Sequence, residues 1–263
     1  MTGLRWRAAI LTAVLAAAPY IAGQEPPGTS LTLPGDAASG HEVLDYQIEW
    51  RLIPAGSAKL TWTAVPHAVA PANELKLHLE SAGLVSRLFR VEDDYTVSLG
   101  QNLCAQNSFI SAHEGNRNKE TRVTYDAQTH KAIYLEKDMN KNSTTMHDVE
   151  IPSCVHDVIG GLMVLRSLHL EPGKAAQIPI SDGKKFVQVK IESQRREELT
   201  TALGVKKTIR YEVFLFDNVL FKRSGHLHVW LTDDSERLPV QLQVRLQFTI
   251  GTITFKLEKE AKL

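Results

Sequence analysis

Long runs of strict apolar/polar alternation constrain this chain more than any other feature. Leu44, Tyr46, Ile48, Trp50 and Leu52 are apolar, and Asp45, Gln47, Glu49 and Arg51 between them are polar. Ala58, Leu60, Trp62 and Ala64 alternate with Ser57, Lys59, Thr61 and Thr63, and Leu75, Leu77 and Leu79 with Lys76, His78 and Glu80. The cleanest run is Leu238, Val240, Leu242, Val244, Leu246, Phe248 and Ile250, with Gln241, Gln243, Arg245, Gln247 and Thr249 interleaved. Successive side chains on a strand point to opposite faces, so a period of two means strands with one dry and one wet face. Further strands are predicted over 187–191, 209–215 and 221–231. Pro54-Ala55-Gly56 predicts the turn of the first hairpin, Asp182-Gly183 a two-residue turn between Ile180 and Val187, and Asp233 to Glu236 a polar turn. After Gly251 the phase flips, with Ile253, Phe255 and Leu257 apolar, which predicts a bulge or sharp bend at that glycine.

One segment has a different period. Val155, Val158, Ile159, Leu162, Met163, Leu165 and Leu168 recur at helical spacing, with Ser153 as the expected N-cap and Glu171-Pro172-Gly173 as the stop. Gly160-Gly161 inside it costs roughly 1 kcal/mol per residue against alanine, which predicts another backbone packed close by. A shorter helical turn is expected over Leu84 to Phe89. About ten apolar-faced strands are therefore predicted for one good helix, and one helix cannot cover so wide a sheet. The sheet has to curl or split into layers. The expected fold is mainly β: a curled antiparallel sheet or partly open β-barrel around one central α-helix, formed by residues 41–263 as a single β-rich domain. Curled sheets of this size leave apolar cavities. Tyr46, Trp50, Trp62, Leu242, Val244 and Phe248 share the apolar parity and are the candidate lining. Plain core packing is the alternative use of the same side chains.

The N-terminus reads as an address. Arg5 and Arg7 precede an apolar stretch from Ala8 through Ala18, followed by small residues up to Gly23. These are the parts of a secretory signal peptide over residues 1–23, with cleavage expected near Ala22 to Gln24. The stretch is shorter than the roughly 20 residues of a membrane span, so no stable span is expected once it is removed. Residues 24–40, rich in Pro, Gly, Ser and Thr, read as a linker. Periplasmic or secreted localisation follows. In an oxidising compartment Cys104 and Cys154 are expected to pair, closing a loop whose chain-entropy contribution is roughly 3–4 kcal/mol. Two buried free thiols are the alternative.

Chemistry-bearing constellations are sparse. With 30 Lys+Arg against 30 Asp+Glu, the chain as a whole has no electrostatic footprint for nucleic acid or for an anionic membrane. His226 and His228 share a strand face beside Trp230, but no third zinc ligand is identifiable. Asp233, Asp234 and Glu236 lack the spacing of a calcium loop. Ser181-Asp182-Gly183-Lys184 fits Ser-x-x-Lys, yet it falls on a predicted hairpin turn. No catalytic residue, cofactor site or metal site is assigned.

Several stretches carry a family likeness: Glu42 to Gly56 with Tyr46 and Trp50, Ser81-Ala82-Gly83 with Leu88-Phe89-Arg90, and Pro152 to Arg166 with Asp157. To these add Pro172-Gly173, Ser181 to Lys185, the specific run Trp230 to Val240, and Ile250-Gly251. In them the sequence resembles a bacterial exported family, domain of unknown function 3108 (DUF3108). The resemblance implies an exported β-rich domain and brings no catalytic residues. A looser likeness of architecture is to the periplasmic lipoprotein carriers, whose half-barrels hold acyl chains. The expected function is non-enzymatic binding or carriage of a hydrophobic or envelope-derived ligand, with a hydrophobic small molecule or lipid as partner. The alternatives are an envelope structural or assembly factor whose barrel is filled by its own side chains, a small outer-membrane barrel, and an exported hydrolase.

Overall fold

The structure, a computed structural model, describes residues 40–65, 72–247 and 251–262. The expected signal peptide (1–23), all of the linker but Gly40, and Phe248 lie outside the described residues.

Eight strands run up and down in chain order: β1 (His41–Trp50), β2 (Ile53–Val65), β3 (Ala72–Ser81), β4 (Val91–Leu99), β5 (Ala105–Glu114), β6 (Arg117–Asp126), β7 (Lys131–Asp138) and β8 (Ser143–Glu150). A second meander follows: β9 (Ala175–Ser181), β10 (Phe186–Thr201), β11 (Gly204–Val213), β12 (Gly225–Thr232), β13 (Pro239–Leu246) and β14 (Gly251–Lys262). The two join through an antiparallel β1–β14 ladder, giving one 14-stranded antiparallel sheet with β8 and β9 at its edges. That ladder sets Tyr46 opposite Leu257 and Ile48 opposite Phe255, so apolar parity continues across the join.

The sheet curls without closing a hydrogen-bonded ring. Its concave face is apolar, and against it packs the short helix α2 (Gly160–Ser167), carried on the connection from β8 to β9. The β9–β10 turn tucks against the inner side of β6 and β7: the Lys184 ammonium sits 4.5 Å from the Tyr134 ring centroid, and a Cβ on Gly183 would stand 2.6 Å from a Val123 methyl. Side chains thus cover the seam that backbone pairing leaves open. The fold is the curled antiparallel sheet around one main helix that the strand-to-helix imbalance predicts.

Local departures from the sequence reading have physical causes. The main helix begins at Gly160 rather than near Ser153, because residues 155–156 are tied to the neighbouring strands by backbone hydrogen bonds. Val155 O accepts from Ala105 N (2.7 Å), His156 N donates to Pro179 O (2.9 Å), and Ser181 N donates to His156 O (2.9 Å). Asp157 takes the capping role expected of Ser153, accepting from Ile159 N (3.1 Å) and Gly160 N (2.8 Å). Side chains, not another backbone, crowd the glycine pair: a Cβ on Gly160 would meet Asp157 Oδ1 at 2.5 Å, and one on Gly161 the Ile180 Cδ1 at 2.8 Å.

The first hairpin turns at Arg51-Leu52, both left-handed (φ 51° and 69°), while Pro54 follows inside β2 beside a bulge in the β1–β2 register. The Asp182 turn spans four residues, its carboxylate accepting from Lys184 N and Lys185 N. The phase flip at Gly251 (φ 78°) marks a full reversal and not a bulge, since Leu246 pairs with Gly251 across the β13–β14 hairpin.

Candidate functional site

The concave face and α2 leave space between them. A cavity of about 240 Å³ is walled by Val158, Ile159, Leu162 and Leu165 on the helix side, with Leu60, Val229, Leu242, Val244 and Tyr46 among the sheet residues. Among the described residues lining it, only Tyr46 has a polar side-chain atom, and its hydroxyl donates to Pro239 O at 2.8 Å. Burial pushes the Tyr46 phenol far above its ordinary value, so it stays a neutral donor. A wall of this kind offers a water molecule almost no hydrogen-bond partners.

Leu79 and Phe255 line both this cavity and a wider outer groove of about 760 Å³, and so form the wall the two share. Trp50, Ile48, Leu246 and Ile253 form the floor of the outer groove, and the short helix α1 (Gly83–Leu88) with Phe89 flanks it. Glu80, Asp93, Glu114 and Arg223 bring charge to this outer part alone. Asp93 is 4% exposed and accepts from His113 N at 2.9 Å. Burial raises its pKa.

The far end is locked by buried charge. Arg166, in the last turn of α2 and fully buried, forks onto Glu42 of β1 (Nη1 to Oε2 2.5 Å, Nη2 to Oε1 3.0 Å). Arg237, in a left-handed residue (φ 46°) after the Asp234-capped turn, donates to Arg166 O (2.6 Å) and to the Tyr211 hydroxyl (2.9 Å). A guanidinium at the helix C-terminus satisfies carbonyls the helix leaves open. Beside the network, the Cys104–Cys154 disulfide, with a Cα separation of 5.1 Å, ties the connection to the start of β5. His156 Nδ1 donates to Leu103 O (2.8 Å), and burial lowers its pKa. Asp157 is pushed up to about 6 by burial, against its amide hydrogen bonds.

A model of the family described as protein of unknown function (DUF3108) matches residues 45–258. The chain belongs to the DUF3108 family. Among solved structures, this DUF3108 chain is similar to a β-barrel-like protein of the DUF1849 domain of unknown function from Brucella abortus, at 8% identity and a TM-score of 0.53, covering 85% of this chain and 98% of that chain. That likeness is one of fold. A protein described as exported, of YmcC-like fold, from Bacteroides fragilis has 8% identity and a TM-score of 0.38, with 89% and 100% covered. A protein described as a lipoprotein from Parabacteroides distasonis has 8% identity and a TM-score of 0.32, with 90% and 100% covered. No curated protein matches the chain.

The structure places the sequence-predicted lining of this DUF3108 chain in three groups. Tyr46, Leu242 and Val244 line the inner cavity, and Trp50 lines the outer groove. Trp62 is 1% exposed in the core outside both, with its indole N–H lacking a hydrogen-bond partner among the described residues. Phe248 lies outside the described residues.

His226 and His228 are on the convex face, where Glu212 approaches both (2.8 Å to His226 Nδ1, 3.8 Å to His228 Nε2). Among the described residues no cluster of three or more His, Cys, Asp or Glu is arranged to hold a metal ion. Asp233 pairs with Arg196 and Glu236 with Lys262, while Asp234 accepts from the Thr232 hydroxyl. Ser181, fully buried, accepts from Gly183 N at 3.0 Å, so its hydroxyl closes a turn.

Sequence reasoning missed Glu42, Arg166 and Arg237. A signal existed for two of them. Glu42 has the parity of Leu44, Tyr46 and Ile48, and Arg166 falls on the apolar face set by Ile159, Leu162 and Met163.

Proposed function

We propose that this DUF3108 protein is exported to the periplasm and there binds or carries a hydrophobic, envelope-derived ligand without chemical change to it. One observation carries the reading: an apolar cavity beside α2 shares the wall formed by Leu79 and Phe255 with a wider groove that carries charged side chains. Ligand sites pair such apolar walls with a few polar groups that orient the guest. An acyl chain or similar tail fits the inner part, and its polar end fits beside Asp93, Glu114 and Arg223. Export is supported by the basic-then-apolar start of the chain and by the disulfide, since such bonds persist in oxidising compartments. Among the described residues no helix is long and apolar enough to cross a membrane. A non-catalytic role is supported by the way Asp157, Ser181 and His156 spend their polar atoms on backbone partners.

Titration with a fluorescent fatty-acid analogue tests the reading. Saturable binding near one per chain is expected, and Leu162→Trp or Val244→Trp, by filling the inner cavity, weakens it by about tenfold with about 1–3 kcal/mol lost from stability. A parent protein with no saturable binding overturns the proposal and leaves the assembly-factor alternative.

A further inference from the structure

We propose that the open end of the groove docks on an anionic lipid bilayer, with its mouth facing the membrane surface. Antiparallel topology puts the 51–52 turn, the 82–90 connection and the 214–224 loop on one rim, and all three border the outer groove through Trp50, Phe89 and Arg223 or their neighbours. Large apolar side chains crowd this rim: Leu52 is 86% exposed, Leu88 77%, Leu84 64% and Phe89 51%. Single exposed leucines are ordinary on a protein surface, but a contiguous set at the mouth of a groove marks a contact surface.

Core packing does not account for these side chains. Helix α1 buries none of its residues. Leu52 sits at the tip of a two-residue turn at φ 69°, where Asn-Gly is the usual occupant and a branched side chain is strained. A strained backbone presenting a leucine to solvent is a cost that folding alone does not explain.

The surrounding charge selects the partner. The same three turns carry Arg51, Arg87, Arg90, Lys222 and Arg223 against Asp217, with the Arg51 guanidinium over the Trp50 ring and the acidic Glu80, Asp93 and Glu114 set back on the strands that line the groove. Arg90 is partly offset by Glu92 at 2.6 Å. Apolar tips ringed by basic groups suit insertion at the headgroup boundary of an anionic bilayer, with the guanidinium groups at phosphate level. Two copies meeting through this rim would bring like charges together, which opposes self-association there. The docking stands on the rim alone. Passage of a lipid tail from the bilayer into the groove rests additionally on the function proposed above.

The test is co-sedimentation of the protein recovered from the cell envelope with two vesicle types, one of phosphatidylcholine and one of equal phosphatidylcholine and phosphatidylglycerol. Binding to the anionic vesicles is expected to be at least about tenfold tighter and to weaken with salt. Leu52→Asp with Leu84→Asp should abolish it, and Arg87→Glu with Lys222→Glu should reduce it by about tenfold, with urea midpoints unchanged because none of the four is buried. Equal sedimentation of parent and Leu52→Asp/Leu84→Asp protein, or no preference for anionic vesicles, overturns the docking. So does a dimer, seen by light scattering, that Leu52→Asp abolishes. Neither aspartate site lines the groove, so a variant that leaves the vesicles yet binds the fatty-acid probe separates the two proposals.

Discussion

Glu42 and Arg166 show how one residue can matter without touching the groove. Their pair is buried, so removing one partner strands the other's charge where water cannot reach it. Glu42→Ala is expected to cost about 3–5 kcal/mol in urea unfolding, whereas Glu42→Met with Arg166→Met recovers most of that loss in a double-mutant cycle. Asp157 gives a pH signature. Its folded pKa is raised from 3.8 to about 6, so between those values the folded state holds a proton the unfolded chain has released. Stability from this group is therefore present below about pH 4 and lost as pH rises to about 6, on the order of 2–3 kcal/mol in all. Asp157→Asn keeps an acceptor for the helix start and flattens that part of the urea-midpoint profile. A profile unchanged by the substitution would show that Asp157 titrates normally. At this scale the strand parity was legible, and it carried Tyr46, Leu242 and Val244 to the inner cavity wall and Trp50 to the groove, while Trp62 went to the core. The buried ion pair was passed over because charged residues on an apolar face were read by type instead of by position.

Elements were legible where the two faces differ in polarity and obscure where they do not. Strands β1 to β3 and β13 carry strict alternation, but β4 to β8 were not predicted. Their inward positions include Asp93, Ser108, Thr121 and Glu136, so both faces read as polar although the backbone pairs along each strand, with one irregularity at Ser98/Leu99. Helix α2 is expected in the right place but too early, because pairing with β9 and the ladder start at Ala105 outweigh helical spacing at Val155 and His156. The disulfide anchors that same connection. Replacing both cysteines by serine is expected to lower stability by about 3–4 kcal/mol. The loss should exceed that of any single exposed-strand substitution, and hydrogen exchange should localise the loosening to the segment between β8 and α2. Uniform exchange through the sheet would argue for a general effect instead.

For the whole molecule, the ratio of strands to helices was decisive. Too much apolar sheet for one helix predicts a sheet that covers itself, and the 14-stranded curl does so. Physics of that kind does not say how the edges meet. The tuck of Gly183 and Lys184 against Val123 and Tyr134 depends on particular side-chain shapes, which alternation cannot encode. The groove's mouth was equally hidden, because exposed leucines in turns look like ordinary loop composition until topology puts them on one rim.

The ladder between β1 and β14 has a kinetic consequence. Glu42 finds its neighbour at Lys262, almost the whole described length away, so the central stitch of the fabric is sewn after everything else is in place. Each meander can assemble from nearby contacts, but the pouch exists only when the two halves clasp. Such distant pairing makes for slow maturation.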